Sequence, residues 1–323
     1  MSDVKSQRDA TATISPPGEA RAAAHTRPAV ILNASSGTGD KEQARARLAE
    51  LFSEGGVEAR IQLARSGEEI IELARRAVSE GCQPVVAGGG DGTINAVASV
   101  VAGTNHTLGV LPLGTLNHFA KDLHIPLDLD AAARVLLEGR EARVDVGEVE
   151  GRIFLNNSSL GLYPSIVRHR EKQQERLGRG KWPAFLWATL TVLKRYPFLN
   201  VRLSTDDQRL IRRTPFVFVG NNEYQMESFN IGARSCIDGG QLSLYVAHRT
   251  GRLGLLRLAW RALFGGLRDA EDFDALCTTE VFVETRRPKR LRVATDGEVT
   301  IMTTPLHYRV RPGALRVLVP EEQ

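Results

Sequence analysis

Twelve residues, Pro84 to Asn95, constrain this chain most: Pro-Val-Val-Ala-Gly-Gly-Gly-Asp-Gly-Thr-Ile-Asn. An apolar run that breaks into three glycines, an acid and a fourth glycine reads as a buried strand turning into a phosphate loop. Gly88, Gly89, Gly90 and Gly92 lack a Cβ, so their N–H groups can approach phosphate oxygens closely. The helix expected from Thr93 to Ala102 adds its positive end. Asp91 would be repelled by a phosphate unless it holds a cation or a water on one, which points to magnesium. The plainer reading is a tight strand-to-helix turn, which needs glycine but has no use for four around an Asp. No Lys-Ser/Thr follows, and the glycines are not spaced as in the dinucleotide fingerprint, so neither of those loops is present.

The flanking sequence alternates strands and helices. Ala29-Val-Ile-Leu-Asn33 is a short buried-strand pattern that ends in a polar turn, Asn33 to Gly37. Leu48, Leu51 and Phe52 mark one helix face, stopped by Gly55-Gly56. Val57, Ala59, Ile61 and Leu63 alternate as a strand, and Ser66 with Glu69 forms a capping box for a helix that Gly81 ends. Leu108 to Leu111 is a further strand. Such alternation implies a parallel sheet with crossover helices and loops gathered at the strands' carboxyl ends. Three turns then share one rim: Asn33 to Gly37, Gly88 to Thr93, and Pro112 to Asn117.

From about Val144 the pattern changes to short strands at Arg152 to Asn156, Val201 to Thr205, Pro215 to Val219, Leu242 to Ala247, Glu280 to Glu284, Arg290 to Ala294, Leu306 to Val310 and Leu315 to Val319. They are too closely spaced for crossover helices, so a largely antiparallel second domain is expected. Two helices interrupt it. Trp182 to Arg195 is apolar nearly all round. Leu253 to Leu267 is amphipathic, with Arg257, Arg261 and Arg268 beside its apolar face, which suits a helix lying on an anionic membrane and equally a core helix whose arginines reach water. The basic run Arg168, Arg170, Lys172, Arg176, Arg179 and Lys181 has no aromatic interleaving and reads as solvated surface, so no nucleic-acid partner is expected.

Composition sets outer bounds. With 323 residues and 42% hydrophobic residues, the chain can bury a sizeable core in one large or two medium domains. Residues 1–28, rich in Ala, Ser, Thr and Pro and without the apolar core of a signal peptide, are expected to be a disordered tail. Cys82, Cys236 and Cys277 lie far apart, arguing for a reducing compartment and against a disulfide frame or zinc site. No stretch reaches eighteen apolar residues, so no membrane span is expected. A cytoplasmic protein that associates peripherally with membrane fits this profile.

Three stretches together resemble the diacylglycerol kinase catalytic-domain family of lipid kinases, which is related to sphingosine kinases. The core Gly-Gly-Asp-Gly-Thr is shared more widely, with NAD kinases and phosphofructokinases. Asn33-Ala34-Ser35-Ser36-Gly37 is similar to the family's opening Asn-Pro-x-Ser-Gly turn, with Ala34 in place of proline. Gly89 to Asn95 matches its nucleotide loop. Leu113 to Ala120 is similar to its Gly-Thr-x-Asn-Asp-Phe-Ala segment, with His118 in place of the Asp. In the second half, Asp238-Gly239-Gly240 resembles the turn that holds a structural magnesium, and Asp296-Gly297-Glu298 resembles the Asp-Gly-Glu that supplies the general base. As a bare sequence, that last tripeptide is also a common hairpin turn.

The resemblance implies a phosphofructokinase-like three-layer α/β nucleotide domain over 29–143 and a mostly antiparallel β-sandwich lipid-substrate domain over 144–323, with the site between them. It implies ATP as donor, held by Asn33, Ser36, Gly37, Gly89, Gly90, Asp91, Gly92, Thr93, Asn95, Gly114, Thr115 and Asn117. Mg2+ would be held by Asp91, and a structural ion by Asp238 with the carbonyls of Ser235 and Gly240. Glu298 or Asp296 would accept the proton of a lipid hydroxyl, with Glu298 favoured. Expected partners are a lipid substrate at a membrane surface and an anionic membrane; a homodimer is compatible with the chain. The alternatives are an NAD kinase-like enzyme of a soluble substrate, or a non-catalytic nucleotide- or lipid-binding protein of the same fold.

Overall fold

The computed structural model describes residues 27–36, 40–161, 198–205, 208–223, 236–247 and 273–321. The expected helices Trp182 to Arg195 and Leu253 to Leu267, the basic run from Arg168 to Lys181, and the single residues Gly37 and Ser235 lie outside them.

The first lobe begins with β1 (Ala29–Asn33), α1 (Lys41–Glu54), β2 (Arg60–Ala64), α2 (Gly67–Ser79), β3 (Val85–Gly89), α3 (Asp91–Val101) and β4 (Thr107–Pro112). Two short helices follow, α4 (His118–Asp122) and α5 (Leu129–Glu138). Local chemistry sets the helix starts. Asp40 accepts the Glu42 and Gln43 amides ahead of α1, and Asp128 accepts the Ala131 amide ahead of α5. Ser66 caps α2 by accepting the Glu69 amide at 3.2 Å, while the Glu69 carboxylate reaches back to the Arg65 amide at 2.7 Å. α3 begins at Asp91, two residues before the expected start, because Gly90 takes the N-cap position.

Strands β2, β1, β3 and β4 pair in that order, all parallel. Right-handed crossovers from β1 outward to β2, then back over β1 to β3 and on to β4, require α1 on one face and α2 and α3 on the other. α2 accordingly packs on α3, and α5 packs beside α1. This is the expected three-layer arrangement.

The second half comprises β5 (Arg140–Val149), β6 (Arg152–Phe154), β7 (Asn157–Gly161), β8 (Leu199–Ser204), β9 (Arg209–Thr214), β10 (Phe216–Asn221), β11 (Leu242–Ala247), β12 (Phe273–Thr278), β13 (Glu280–Thr285), β14 (Arg290–Thr295), β15 (Glu298–Thr303) and β16 (Leu306–Val319). β12, β11, β10, β7, β14 and β15 form a purely antiparallel sheet in that order. It faces the outer half of the first sheet across a core that includes Leu160, Val217, Leu244, Val293, Val201 and Val283. Phe154 and Tyr308 meet edge-on in that core, ring centroids 6.3 Å apart. Each fully buried large side chain contributes about 1.5–3 kcal/mol.

One expectation is corrected. Leu306 to Val310 and Leu315 to Val319 are one strand, β16, broken by a bulge between Arg311 and Leu315 where Gly313 takes a φ of 56°. The boundary at 143/144 falls inside β5, and β16 returns to pair in parallel with β4 through Arg316 and Val317. Val144, Val146, Leu315 and Val317 are buried in the first lobe's core. The last strand therefore closes the nucleotide lobe while its beginning, paired with β13, builds the sandwich.

Candidate active site

The three rim turns meet. Asn33, at the end of β1, donates through Nδ2 to Thr93 Oγ1 at 2.9 Å, tying the first turn to the glycine loop. Gly90 and Gly114 touch backbone to backbone: a Cβ on Gly114 would lie 2.3 Å from the Gly90 Cα and 2.8 Å from Asn117 Oδ1. The Phe119 amide donates to Asp91 Oδ1 at 3.2 Å, so Asp91 serves the first turn of α4 from outside it. Asn117 is buried and holds left-handed backbone, φ 52°, which Asn tolerates better than most residues. Its side chain closes the third turn, accepting the Gly114 amide at 3.1 Å and donating to the Pro112 and Gly114 carbonyls.

The frame sorts the expected nucleotide ligands. Thr93 and Asn117 are buried and knit the loops together, and Ser36 donates through its hydroxyl to the Asn33 carbonyl at 2.9 Å. Thr93 and Ile94 also spend their amides on the Gly90 carbonyl, at 2.9 and 3.1 Å. The Asp91 and Gly92 amides precede any intrahelical acceptor. Gly92 is exposed, and a Cβ there would meet nothing within 4 Å. This is the open side of the cradle, where backbone donors and the positive end of α3 coincide. Thr115 is also exposed beside it.

Among the described residues no three His, Cys, Asp or Glu side chains could together hold a metal. Magnesium does not need such a cage; it commonly takes one or two protein oxygens plus phosphate oxygens. Asp91 fits that mode. Asn95, four residues on and hence on the same helix face, keeps a buried Oδ1 without a hydrogen-bond partner among the described residues. For the second expected ion, Asp238 is half-buried, and the Gly240 amide donates to Asp145 Oδ2 at 2.6 Å.

Asp145 was not anticipated. It is buried on β5, and its other oxygen accepts the Gly313 amide at 2.8 Å, so one carboxylate ties the Asp238 turn to the β16 bulge. The Asp145 carbonyl accepts Asn221 Nδ2 at 2.8 Å, and the same nitrogen donates to the Leu155 carbonyl at 3.0 Å. An acid between Val144 and Val146 in an apolar strand was the available signal, since a buried carboxylate needs dedicated donors.

Asp296 and Glu298, paired in expectation, have separate situations. Asp296 takes left-handed backbone, φ 46°, and its carboxylate accepts the amides of Leu155, Asn156 and Asn157 at 2.7, 2.9 and 3.0 Å. Glu298 extends into solvent, and among the described residues Arg152 is its one ion-pair partner, at 3.4 Å. Leu155 and Ile153 pack in the same core as Ile94 and Val97 of α3, and α3 lies against β6. The Asp296–Glu298 turn of the sandwich is therefore pinned to the flank of the lobe that carries the glycine loop.

Comparison with known proteins agrees with this architecture. Residues 27–149 match the family model of the diacylglycerol kinase catalytic domain, and residues 165–319 match that of the YegS C-terminal NAD kinase beta sandwich-like domain. A Pseudomonas aeruginosa protein named "Probable lipid kinase YegS-like" is 29% identical over 285 residues, 86% of this chain and 90% of that protein. A Staphylococcus aureus protein named "Diacylglycerol kinase" is 40% identical over 97 residues, 29% of this chain and 30% of that one. The crystal structure of a diacylglycerol kinase from Bacillus anthracis str. Sterne superposes with a TM-score of 0.67 at 20% identity, covering 91% of this chain and 96% of that one. No helix among the described residues is long and apolar enough to cross a membrane.

Proposed function

The chain belongs to the diacylglycerol kinase catalytic-domain family, joined to a YegS-type β-sandwich, and from that premise we propose that it transfers the γ-phosphate of ATP to the hydroxyl of a diacylglycerol-like lipid. The observation that carries the reading is the junction of three loops around the open face at Gly92.

Phosphoryl transfer has a loose transition state, so catalysis lies in placing the donor, offsetting charge and orienting the acceptor. The Asp91 and Gly92 amides receive phosphate oxygens at the start of α3, and Thr115 lies beside them. Asn33 and Thr93 keep the loop from opening, and the Gly90–Gly114 contact fixes the distance between the second and third turns. Magnesium, bound with the nucleotide, would offset phosphate charge, with the second oxygen of Asp91 and the Oδ1 of Asn95 as its protein donors. Glu298 takes the proton of the attacking hydroxyl, because among the described residues its exposed carboxylate meets only Arg152. Asp296 holds the turn that presents it.

The test is labelled phosphate transfer from ATP to a panel of lipid alcohols dispersed in detergent, with NAD as soluble control. Labelled lipid, absent with Asp91→Ala, is the expected result. Labelled NAD with unlabelled lipid, or nucleotide binding with no transfer to any acceptor, would overturn the proposal.

A further inference from the structure

We propose that the outer face of the β14–β15 hairpin, with the loop that leads into it, docks the protein flat on an anionic lipid bilayer. This deepens the lipid-kinase reading and rests on it for its purpose, though not for its evidence. Between β13 and β14 the chain carries Arg286, Arg287 and Lys289, followed on β14 by Arg290 and Arg292, and all five are exposed. Lys289 pairs with Glu284 at 3.2 Å. The four arginines have no ion-pair partner among the described residues, and no acid lies between Arg286 and Thr295.

The charges are held on a fixed surface. Thr285 Oγ1 donates to the Pro288 carbonyl at 2.5 Å and the Thr304 amide to the Lys289 carbonyl at 2.8 Å, pinning the loop at both ends. Along the hairpin, Leu291, Val293 and Met302 point into the sandwich core. Alternation therefore sends Arg290, Arg292, Ile301 and Thr303 to the other face. Arg292 stands directly opposite Ile301 and Arg290 opposite Thr303. Ile301 is 56% exposed, a large aliphatic residue with Arg292 opposite it and Arg290 diagonal to it across the hairpin. β15 is the edge strand of its sheet, so nothing lies beyond it in the described structure.

Cations with no ion-pair partner among the described residues, beside a protruding aliphatic side chain, suit a bilayer surface, which offers anionic headgroups at one level and acyl chain just below. A nucleic-acid strand is a poorer match, because the hairpin and its loop hold no aromatic residue on which bases could stack. Lying flat, the hairpin brings its other end, the Asp296–Glu298 turn, to the membrane plane, where a lipid hydroxyl would be offered. Arg152, 3.4 Å from Glu298, sets a positive charge beside that carboxylate there.

The experiment is co-sedimentation of the full chain with phosphatidylcholine vesicles, with and without phosphatidylglycerol. The variants are Arg286→Gln/Arg287→Gln/Arg290→Gln/Arg292→Gln and, separately, Ile301→Ser, each checked for an unchanged melting temperature. Wild type should bind the phosphatidylglycerol vesicles, less at high salt, and the quadruple variant should bind at least about tenfold more weakly. Ile301→Ser should weaken binding about threefold or more, since its apolar contact is lost. In parallel, every variant should phosphorylate detergent-dispersed diacylglycerol at the wild-type rate. Unchanged vesicle binding in the variants overturns the proposal. So does preferential binding of a DNA or RNA oligonucleotide that is lost in the quadruple variant, or dimerisation abolished by Ile301→Ser without vesicle binding. Vesicle binding that follows the prediction in a protein that transfers no phosphate would leave the docking surface standing and remove the kinase reading alone.

Discussion

Asp296 accepts the Leu155 amide at 2.7 Å across 141 positions of sequence. The bond joins a turn of the sandwich to a residue packed in the nucleotide lobe's core, and two further amides, from Asn156 and Asn157, share the same carboxylate. Removing it with Asp296→Ala leaves three donors short of an acceptor, and should cost about 2–4 kcal/mol of stability. Denaturant unfolding with an unchanged slope reads this directly. Glu298→Gln, at an exposed position, should leave the midpoint unmoved. Equal stability of the two variants would mean that Asp296 does not hold the turn.

The rim glycines give opposite outcomes for the same substitution. Gly114→Ala would drive a methyl into the Gly90 backbone, so about 1–3 kcal/mol of stability and most nucleotide affinity should be lost together. Gly92→Ala meets no neighbour and should fold like wild type while weakening ATP binding by about tenfold, because its methyl occupies space meant for phosphate. Thermal melts with and without ATP separate the two.

Asp145 accepts the amides of Gly240 and Gly313 on separate oxygens. Asp145→Asn presents a donor to one of those donors, and should cost about 2–3 kcal/mol. The loss should appear as a lower midpoint in urea. If the midpoint is unchanged, β16 and the Asp238 turn do not depend on this carboxylate.

Burial pushes the Tyr308 phenol well above its ordinary value; the Ser158 hydroxyl at 3.1 Å acts the other way and Glu150 adds to the rise. The folded protein keeps this proton after the unfolded chain releases it at a pH of about 10. Stability contributed by Tyr308 is therefore full below that pH and declines above it, by up to about 1.4 kcal/mol per pH unit. Tyr308→Phe should remove that part of the alkaline decline, so its stability between pH 10 and 11.5 should fall less steeply than wild type. Parallel curves would show that the phenol is not protected in the folded state.

Much of this was legible in the sequence because it depends on short-range chemistry. Ser66 and Glu69 announced a capping box, Gly55 and Gly81 announced helix ends, and the strand-to-glycine pattern announced the cradle. The antiparallel second half was also evident from closely spaced apolar runs. β5, β7, β9, β12 and β15 were missed. β7 carries Asn157, Ser158 and Ser159 with one aliphatic residue, and Ser158 is buried against partners that local pattern cannot see, Tyr308 and the Ala294 carbonyl. β9 sends Arg209, Ile211 and Arg213 to solvent and is a strand because β8 pairs with it. The same limit hid Asp145 and the return of β16 to β4. Both are long-range pairings, and a single sequence records the residues but not which of them meet.

The central claim divides the work between lobes: glycine-loop amides hold ATP, and Glu298 readies the hydroxyl. Rapid-quench measurement of one turnover, with labelled ATP and detergent-dispersed diacylglycerol, tests that division most directly in wild type and Glu298→Gln. The prediction is that Glu298→Gln binds ATP within about twofold of wild type while phosphoryl transfer slows by about a hundredfold or more. Transfer at the wild-type rate, or loss of ATP binding in that variant, would contradict the account.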